Sequence, residues 1–529
     1  MAERNKLSIY LIKDGFAGDD DSILKPEKQL LGEIEGVGRA YYHPSKTSKP
    51  AWLDSFFRGR LEAANIFTSN ARAVLISRIE VEGGERAFAI TMGYGKFLLA
   101  DDVIEEDFGL KVVMNTITPN SLRRINKINI GGNQKISTEQ LPLESQIDDF
   151  GFDVERDLIS TITGYSVDAG FTTGIMTGAD LLSLTAEVDI GNLSGFLQKV
   201  YERYCSEEYK KYFAWIDHIK RVKDTKLIEA LDNEVVDLIN QGSARVWMAV
   251  PSVVQWECIA GFSYHGKELY DDIYVEKVRA SFRNGLSNIT QLKNKSIKAI
   301  LDKKYRADAS EDTEALYDRW SAYKCLYGEL ELKGKVYCIN NGKWFHVDRD
   351  FVRAITEEYE QIPVSSRSFL PHDRTHRTEN DYTVAFVASD PDHLLCMDAK
   401  TIGYGGGRSK IELCDVLTTD GTYIHIKPYS GSSTLSHLFN QALVSAELVL
   451  SDPVFVAKAN QQIARETNNA AFFIDPDQGK PVVIFAVISN HAGQRPEIPF
   501  FSKVALRYAR RRLEMDGCQV YLKNIHKAN

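Results

Sequence analysis

The spacing of apolar residues changes along the chain, and each change predicts a different kind of structure. Up to about residue 195, short apolar runs alternate with polar, Gly- and Pro-containing segments, which predicts a mixture of strands and helices. Between 193 and 240 apolar residues recur every three or four positions, the spacing of amphipathic helices. We therefore predict an α/β protein (α+β overall) with several domains. Its domains are a mixed α/β domain at 1–195, a largely helical region at 196–335 and a second α/β domain at 336–529.

Local signals add detail to the first two regions. The sequence predicts a hairpin within 73–99, a capped helix at 100–108 and a strand at 110–117. Residues 286–330 look polar and helical. Asn341-Gly342 is a favoured type I′ turn, so the apolar runs on either side of it predict a β-hairpin.

The C-terminal region has the clearest order of elements, and it predicts a mixed sheet flanked by helices. The predicted helices are 379–389, 433–450, 454–466 and 501–514, and the predicted strands are 393–399, 411–417, 422–428, 481–489 and 518–522.

Composition narrows the setting. The net charge of −9 excludes a uniformly basic, nucleic-acid-coating protein, but leaves local basic patches open. The seven cysteines are odd in number and form no Cys-x-x-Cys pair, which argues against a disulfide framework and a zinc ribbon. No apolar run is long enough to span a membrane, and no apolar leader is evident. We expect a cytoplasmic protein without a membrane partner.

Candidate chemistry lies in the predicted strands at 411–417 and 422–428. Asp415 sits in the first, and His425 and Lys427, two residues apart, share a face of the second. Carboxylates bind hard cations such as Mg²⁺, and a lysine can stabilise charge on a phosphate or an attacking water. Glu412 is three residues from Asp415, so on a regular strand it faces the other way. It is a ligand only if the strand bulges.

These residues resemble the restriction-endonuclease-like superfamily, known for its PD-(D/E)-x-K pattern. Glu379, Asp415, His425-x-Lys427 and, on the following helix, Gln441 occur in the order of that family. The resemblance implies a nuclease-like mixed sheet, with Asp415 as metal ligand and Glu379 or Glu412 as the second.

In the same pattern His425 would bind the metal or position water, and Lys427 would stabilise charge on the attacking water and phosphate. Gln441 would lie near the site. His425 occupies the position of an acid, which shifts the expected ion from Mg²⁺ toward Mn²⁺.

The whole chain also resembles a little-characterised, sporadically distributed bacterial family found near mobile elements and phage-defence genes. The stretches that carry this resemblance include 92–99, 107–115, 433–439 and 498–503. It implies a defence setting without naming a reaction.

Two groups of cations are candidate nucleic-acid contacts. Lys503, Arg507 and Arg510 recur at intervals of three and four on one face of the last predicted helix. Arg408 and Lys410 follow the glycine-rich stretch that begins at Gly403. Basic faces are also ordinary solvated surfaces, and the glycine-rich stretch lacks the spacing of a phosphate-binding P-loop.

Other interpretations compete at the acidic positions. Asp415 and Lys427 could form a plain surface ion pair of an ordinary hairpin, worth at most about 1 kcal/mol. A literal PD…D-x-K match also starts at Asp392 and ends at Asp398 and Lys400, but the gap is too short for two strands. Asp398 then remains as an additional acid at a strand end.

We predict a metal-dependent nuclease that cleaves phosphodiester bonds, of DNA rather than RNA, in prokaryotic defence against phages or mobile elements. One alternative is a catalytically degenerate nuclease fold that binds nucleic acid or acts as a sensor. Another is an RNA-cleaving toxin that uses the same residues. Association with further copies of the chain or with a defence-system partner stays open.

Overall fold

The computed structural model describes residues 4–44, 47, 71–129, 135–142, 157–168, 170–172, 174–264, 268–283, 285–302, 316–404, 409–429, 432–475 and 479–527. The described residues form two compact units. The first takes in those of 1–128, 136–217 and 301–315, and the second those of 129–135, 218–300 and 316–529. Both units contain helices and strands, so the predicted α+β class is confirmed. Among the described residues no helix is both long and apolar enough to cross a membrane.

The first unit is built on a ten-stranded sheet with the order β2-β3-β4-β5-β1-β10-β9-β8-β6-β7. Neighbouring residues of one strand enter different cores, as Ile9 and Tyr10 do, because side chains alternate across a sheet. The strands are β1 (Asn5–Leu11), β2 (Gln29–Ile34), β3 (Gly38–His43), β4 (Arg72–Val81), β5 (Gly84–Gly93), β6 (Leu122–Asn129), β7 (Lys135–Gln140), β8 (Asp157–Tyr165), β9 (Ile175–Gly178) and β10 (Leu182–Ala186). The helices are α1 (Asp20–Ile23), α2 (Phe108–Met114), α3 (Leu193–Cys205) and α4 (Lys210–Phe213).

Helix α2 corrects two predictions. A helix was expected at 100–108 and a strand at 110–117, but the helix spans Phe108–Met114. Nearly all its residues are buried, so it lacks the polar face that marks a helix in sequence. Gly109 is required there, because a Cβ would lie 2.1 Å from the Leu181 carbonyl oxygen.

The first part of the second unit carries two antiparallel sheets, β11-β18-β17-β16-β12 and β13-β14-β15. Its strands are β11 (Ile219–Arg221), β12 (Val246–Met248), β13 (Ile259–Ser263), β14 (Ser296–Leu301), β15 (Leu316–Ser321), β16 (Leu326–Leu332), β17 (Lys335–Asn340) and β18 (Lys343–Val347). Its helices are α5 (Thr225–Asn240), α6 (Val275–Ala280) and α7 (Ile289–Asn294).

The outcome of the predictions for this part is mixed. The prediction of helix over 286–330 holds only for α7, because β14, β15 and most of β16 lie in the rest of its described residues. The predicted hairpin between β17 and β18 is confirmed. Its turn residues Asn341 and Gly342 have φ values of +49° and +67°, as a type I′ turn requires.

One buried carboxylate in this part of the chain accepts hydrogen bonds from several elements. Asp232 of α5 accepts hydrogen bonds from the Tyr323 hydroxyl (2.8 Å), the Trp344 indole (2.8 Å) and the Lys293 ammonium (2.9 Å). Of these three partners, Lys293 is the exposed one. Because each donor comes from a different element, the carboxylate crosslinks helix α5 with α7, β18 and the segment before β16.

The C-terminal part contains the five-stranded sheet β19-β22-β23-β24-β25 and a separate two-stranded hairpin, β20-β21. β19, β22 and β23 pair antiparallel, whereas β23, β24 and β25 pair parallel. The strands are β19 (Leu394–Cys396), β20 (Thr401–Tyr404), β21 (Ser409–Glu412), β22 (Val416–Thr418), β23 (Thr422–Pro428), β24 (Val482–Ser489) and β25 (Gln519–His526). The helices are α8 (Arg349–Gln361), α9 (Glu379–Ala388), α10 (Ser432–Ser451), α11 (Pro453–Glu466) and α12 (Phe500–Met515).

Helices cover both faces of this sheet. Phe485 of β24 packs in a core with residues of α10 and α12, whereas its neighbour Ile484 packs with residues of α9. A strand buried on both faces reads as a continuous apolar run, which explains why β24 was legible in the sequence. The predicted strand at 411–417 is wrong as a single element. It is split into the end of β21 and the start of β22, with residues 413–415 between them.

Candidate active site

Three carboxylates converge at one place in the C-terminal part. Glu379 is the first residue of α9, Asp398 follows β19, and Asp415 precedes β22. One oxygen from each lies within 4.8 Å of the others. Within the described ranges no other group of three or more His, Cys, Asp or Glu side chains comes this close. The carboxylates form an oxygen-rich cluster, the kind of site that Mg²⁺ or Mn²⁺ prefers.

Backbone hydrogen bonds place two of these acids side by side. The carbonyl oxygen of Asp415 accepts from the amides of Met397 (2.8 Å) and Asp398 (3.1 Å). The chain then turns through Ala399, whose φ of +58° is left-handed and costs about 1–2 kcal/mol in a residue other than glycine. The Lys400 amide closes the turn by donating a hydrogen bond to the Met397 carbonyl oxygen (3.0 Å). The turn thus holds Asp398 beside the strand break that carries Asp415.

Asp415 is the most deeply buried of the three acids, with 7 % of its surface exposed. Its Oδ2 accepts a hydrogen bond from the Ile426 amide (2.6 Å). Burial raises the pKa of Asp415 to about 7, and the charges of Glu379 and Asp398 add to this, while the Ile426 amide and Lys427 oppose it. The cluster therefore holds more negative charge than its surroundings stabilise, and a bound cation would relieve that excess.

Lys427 is the cation beside these acids. Its ammonium group forms an ion pair with the Glu379 carboxylate, and both side chains are mostly buried. Burial lowers the pKa of Lys427, but the hydrogen bond and charge of Glu379, with Asp415 and Asp398, raise it above the ordinary value. Burial raises the pKa of Glu379 despite Lys427. One ammonium group therefore faces three carboxylates.

The structure places His425 apart from this cluster. Its ring is buried (3 % exposed) and lies 6.2 Å from that of Phe485, which in turn packs edge-on against Phe439 of α10. Burial, followed by the charge of Lys427, lowers the pKa of His425 to about 3. Its Nε2 has no hydrogen-bond partner among the described residues. The expectation that His425 and Lys427 share a face of the strand stays a prediction: the charge of Lys427 acts on the His425 ring, while its ammonium group pairs with Glu379.

His425→Leu should raise the free energy of unfolding by about 1 kcal/mol, because it removes a buried nitrogen that lacks a partner. Chemical denaturation measures this. His437→Leu, at an exposed histidine of α10, is the matched control and should change little. A loss of stability in His425→Leu, or loss of Mn²⁺-dependent stabilisation, would instead show that Nε2 holds a ligand.

Glu412 and Gln441 form a pair at the side of the cluster. The Gln441 amide donates a 2.7 Å hydrogen bond to the Glu412 carboxylate. Glu412 is not one of the three converging acids, although its charge contributes to the raised pKa of Glu379. The strand does break after Glu412, as a ligand role for this residue would require, but its carboxylate binds Gln441 beside the cluster.

The cations predicted to bind nucleic acid on α12 are engaged within the protein. Arg507 binds Glu358 of α8 through Nε (2.7 Å) and Nη2 (2.6 Å), and Arg510 binds Glu514 (2.6 Å). Lys503 is largely buried and lies over the Tyr359 ring. This face of α12 packs against α8, so a phosphate would have to displace existing ion pairs. Lys410 is exposed on β21, and Arg408 lies outside the described residues.

Asp398 is the member of the cluster that sequence reasoning treated as secondary. Its signal was the Asp-Ala-Lys run at the end of a predicted strand. That signal was discounted because the gap to the preceding Asp392 is too short for two strands. The true partner of Asp398 is Asp415, which is reached through the pairing of β19 with β22.

Comparisons with known proteins give a family but no activity. A family model described as a family of unknown function, DUF6119, matches residues 7–526. Neither the comparison with curated proteins nor that with solved structures returned a match. Since the match extends over nearly the whole sequence, the chain belongs to the DUF6119 family.

Proposed function

We propose that the protein is a metal-dependent nuclease whose active site is the cluster of Glu379, Asp398 and Asp415 with Lys427. The observation that carries the proposal is the convergence of the three carboxylates within 4.8 Å, with the ammonium group of Lys427 paired to one of them. Three carboxylates beside one ammonium group leave an excess of negative charge, and such an excess suits a cation that binds during function.

Each residue has a defined task in this proposal. The three carboxylates would hold Mg²⁺ or Mn²⁺, which supplies Lewis-acid activation of a phosphoryl oxygen and of a water molecule. Lys427 would stabilise negative charge on the attacking water and the phosphate. Gln441 would orient Glu412 at the side of the cluster. His425 would support β23 from the core.

The order of elements supports the likeness to the restriction-endonuclease-like superfamily. Helix α9 carries Glu379, the antiparallel strands β19, β22 and β23 follow with the hairpin β20-β21 inserted between the first two, and α10 and α11 lead to the parallel strand β24. Asp415 immediately precedes β22, and Lys427 lies near the end of its antiparallel neighbour β23, so the pairing of these strands brings the two residues to the same region of the sheet. We propose DNA as the substrate and defence against phages or mobile elements in the cytoplasm as the setting.

A nucleic-acid-binding or sensor protein without cleavage activity is the second candidate. The observation that favours it is His425, because the position of the usual acid holds a buried, uncharged imidazole. In that case the cluster would bind a cation for structure alone. The same protein would bind DNA and leave it intact.

Lys427→Ala should lower cleavage of plasmid DNA by at least about 100-fold in Mg²⁺ or Mn²⁺, because it removes the cation that is paired with Glu379 of the cluster. Gel electrophoresis of the cleaved plasmid measures this, with a structured RNA as parallel substrate. Lys226→Ala, at an exposed lysine of α5, is the control and should cleave like the wild type. Equal inertness of wild type and Lys427→Ala on all substrates would rule out catalysis, and equal cleavage would rule out this site.

A further inference from the structure

A hairpin leaves the sheet at the candidate active site. After Asp398 the chain departs from β19, forms β20 and β21, and returns at Glu412 to continue into β22. β20 and β21 pair only with each other, in a sheet of their own. We call the described residues of this hairpin, 401–404 and 409–412, the arm. Because its base lies between Asp398 and Asp415, anything that lies along the arm is next to the carboxylate cluster.

The arm is fixed against helix α11. Ile402 is buried in a core with Phe455, Ala459 and Ile463 of that helix. The Lys458 ammonium of α11 donates a 3.0 Å hydrogen bond to the Gly403 carbonyl oxygen. The arm and the exposed face of α11 therefore form one continuous surface.

This surface carries cations and few acids. The sequence from 399 to 411 contains no acidic residue, in a chain whose net charge is −9. Lys410 is exposed on the arm. On α11, Lys458, Gln461 and Arg465 are exposed and follow one another at intervals of three and four, so they share a face of the helix. Lys400 pairs with Glu466 at the edge of the surface (3.3 Å).

We infer that the sugar-phosphate backbone of the nucleic-acid substrate lies on the arm and the adjoining face of α11, contacted by Lys410, Lys458 and Arg465. This inference rests on the proposed function. A polyanion that approaches three carboxylates is repelled unless cations beside them offset that repulsion. The arm and α11 present such cations, whereas Arg507 and Arg510 of α12 are already paired with Glu358 and Glu514. Contacts of this kind bind the backbone without reading its sequence.

The test is binding without cleavage. The full chain is titrated into a fluorescein-labelled DNA duplex in EDTA, and fluorescence anisotropy is followed over a series of salt concentrations. Binding weakens with salt, and each phosphate contact makes the slope of log K against log salt steeper by about 0.9. The triple variant Lys410→Ala/Lys458→Ala/Arg465→Ala should therefore have a slope that is shallower by about 2 to 3. Affinity at low salt should fall at least tenfold, which is about 1.4 kcal/mol.

Two further variants separate the surface from general effects. Lys410→Glu breaks no hydrogen bond identified in the structure, so it should weaken binding without loosening the arm. Lys226→Glu makes the same charge change on α5, which packs in a different core, and should bind like the wild type. Lys503→Ala/Arg507→Ala should also leave the salt slope unchanged.

The outcomes distinguish this inference from the proposed function. Unchanged binding by the triple variant and by Lys410→Glu would overturn the inference even if the wild type cleaves DNA. A wild type that does not bind the duplex would overturn it as well. A wild type that binds through these residues but never cleaves would uphold it and refute the nuclease proposal.

Discussion

Replacing Asp415 with asparagine should stabilise the metal-free protein and abolish its metal-dependent cleavage. Asparagine keeps an oxygen that can accept the Ile426 amide, but it carries no buried charge. Burial raises the pKa of Asp415 from 3.8 to about 7, which corresponds to a penalty of up to about 4 kcal/mol for its ionised form. The variant should regain part of that free energy at neutral pH, and denaturant titration in EDTA measures the gain.

The pH dependence gives the same prediction a second readout. Between about pH 4 and 7 the folded protein keeps the Asp415 proton that the unfolded chain releases, so Asp415 makes stability fall as pH rises through this window. His425 acts in the opposite sense. Its pKa is lowered to about 3, so its contribution to stability is lost as pH falls from about 6.5 toward 3. In Asp415→Asn the effect of His425 remains without the opposing effect of Asp415. The variant should therefore lose more stability than the wild type as the pH falls from about 6.5.

Metal and activity complete the test of Asp415. Mg²⁺ or Mn²⁺ should raise the melting temperature of the wild type and not that of Asp415→Asn, because ligand binding stabilises only a fold that holds the ion. Cleavage by the variant should fall by at least about 100-fold. A variant that is less stable than the wild type at neutral pH, or one that still cleaves, would show that Asp415 is a structural carboxylate.

Asp232→Ala should destabilise the protein by about 3–5 kcal/mol, because it leaves buried donors without an acceptor. The Tyr323 hydroxyl and the Trp344 indole both donate to this carboxylate in the core. Urea unfolding followed by tryptophan fluorescence measures the loss. Lys293→Ala is the matched control. The Lys293 side chain is 43 % exposed, and the Tyr323 and Trp344 donors to Asp232 stay in place, so its removal should cost less than Asp232→Ala. Similar costs for the two variants would mean that Asp232 contributes through its charge alone.

The sequence was informative where local chemistry decides the structure. The turn at Asn341-Gly342 follows from two residues that tolerate positive φ. The predicted helix at 433–450 became Ser432–Ser451, and the predicted strand at 481–489 became Val482–Ser489. For this helix and this strand, the spacing of apolar residues reflects which side chains are buried. Helix α2, which is buried nearly all round, carries no such signal.

Tertiary contacts decided the rest of the candidate site. The alternation rule puts His425 and Lys427 on one face, but it does not reveal that the lysine pairs with Glu379 or that the histidine lies beside Phe485. The pairing of β19 with β22 sets the distance between Asp398 and Asp415, and no local pattern in the sequence reveals that pairing. Likewise the basic residues of α12 look like a binding face in sequence, and only the folded structure shows that Arg507 pairs with Glu358 of α8 and Arg510 with Glu514.

The residues of the carboxylate cluster are close in sequence as well as in space. Glu379, Asp398, Asp415 and Lys427 come from one helix and an antiparallel meander, whereas the parallel pairing of β23 with β24 spans two intervening helices. Contacts between near residues close small loops and form sooner than distant ones. We therefore expect the repulsion between Asp398 and Asp415 to arise before β24 joins the sheet. A cation that binds them would act on the rate at which the chain folds as well as on the folded protein.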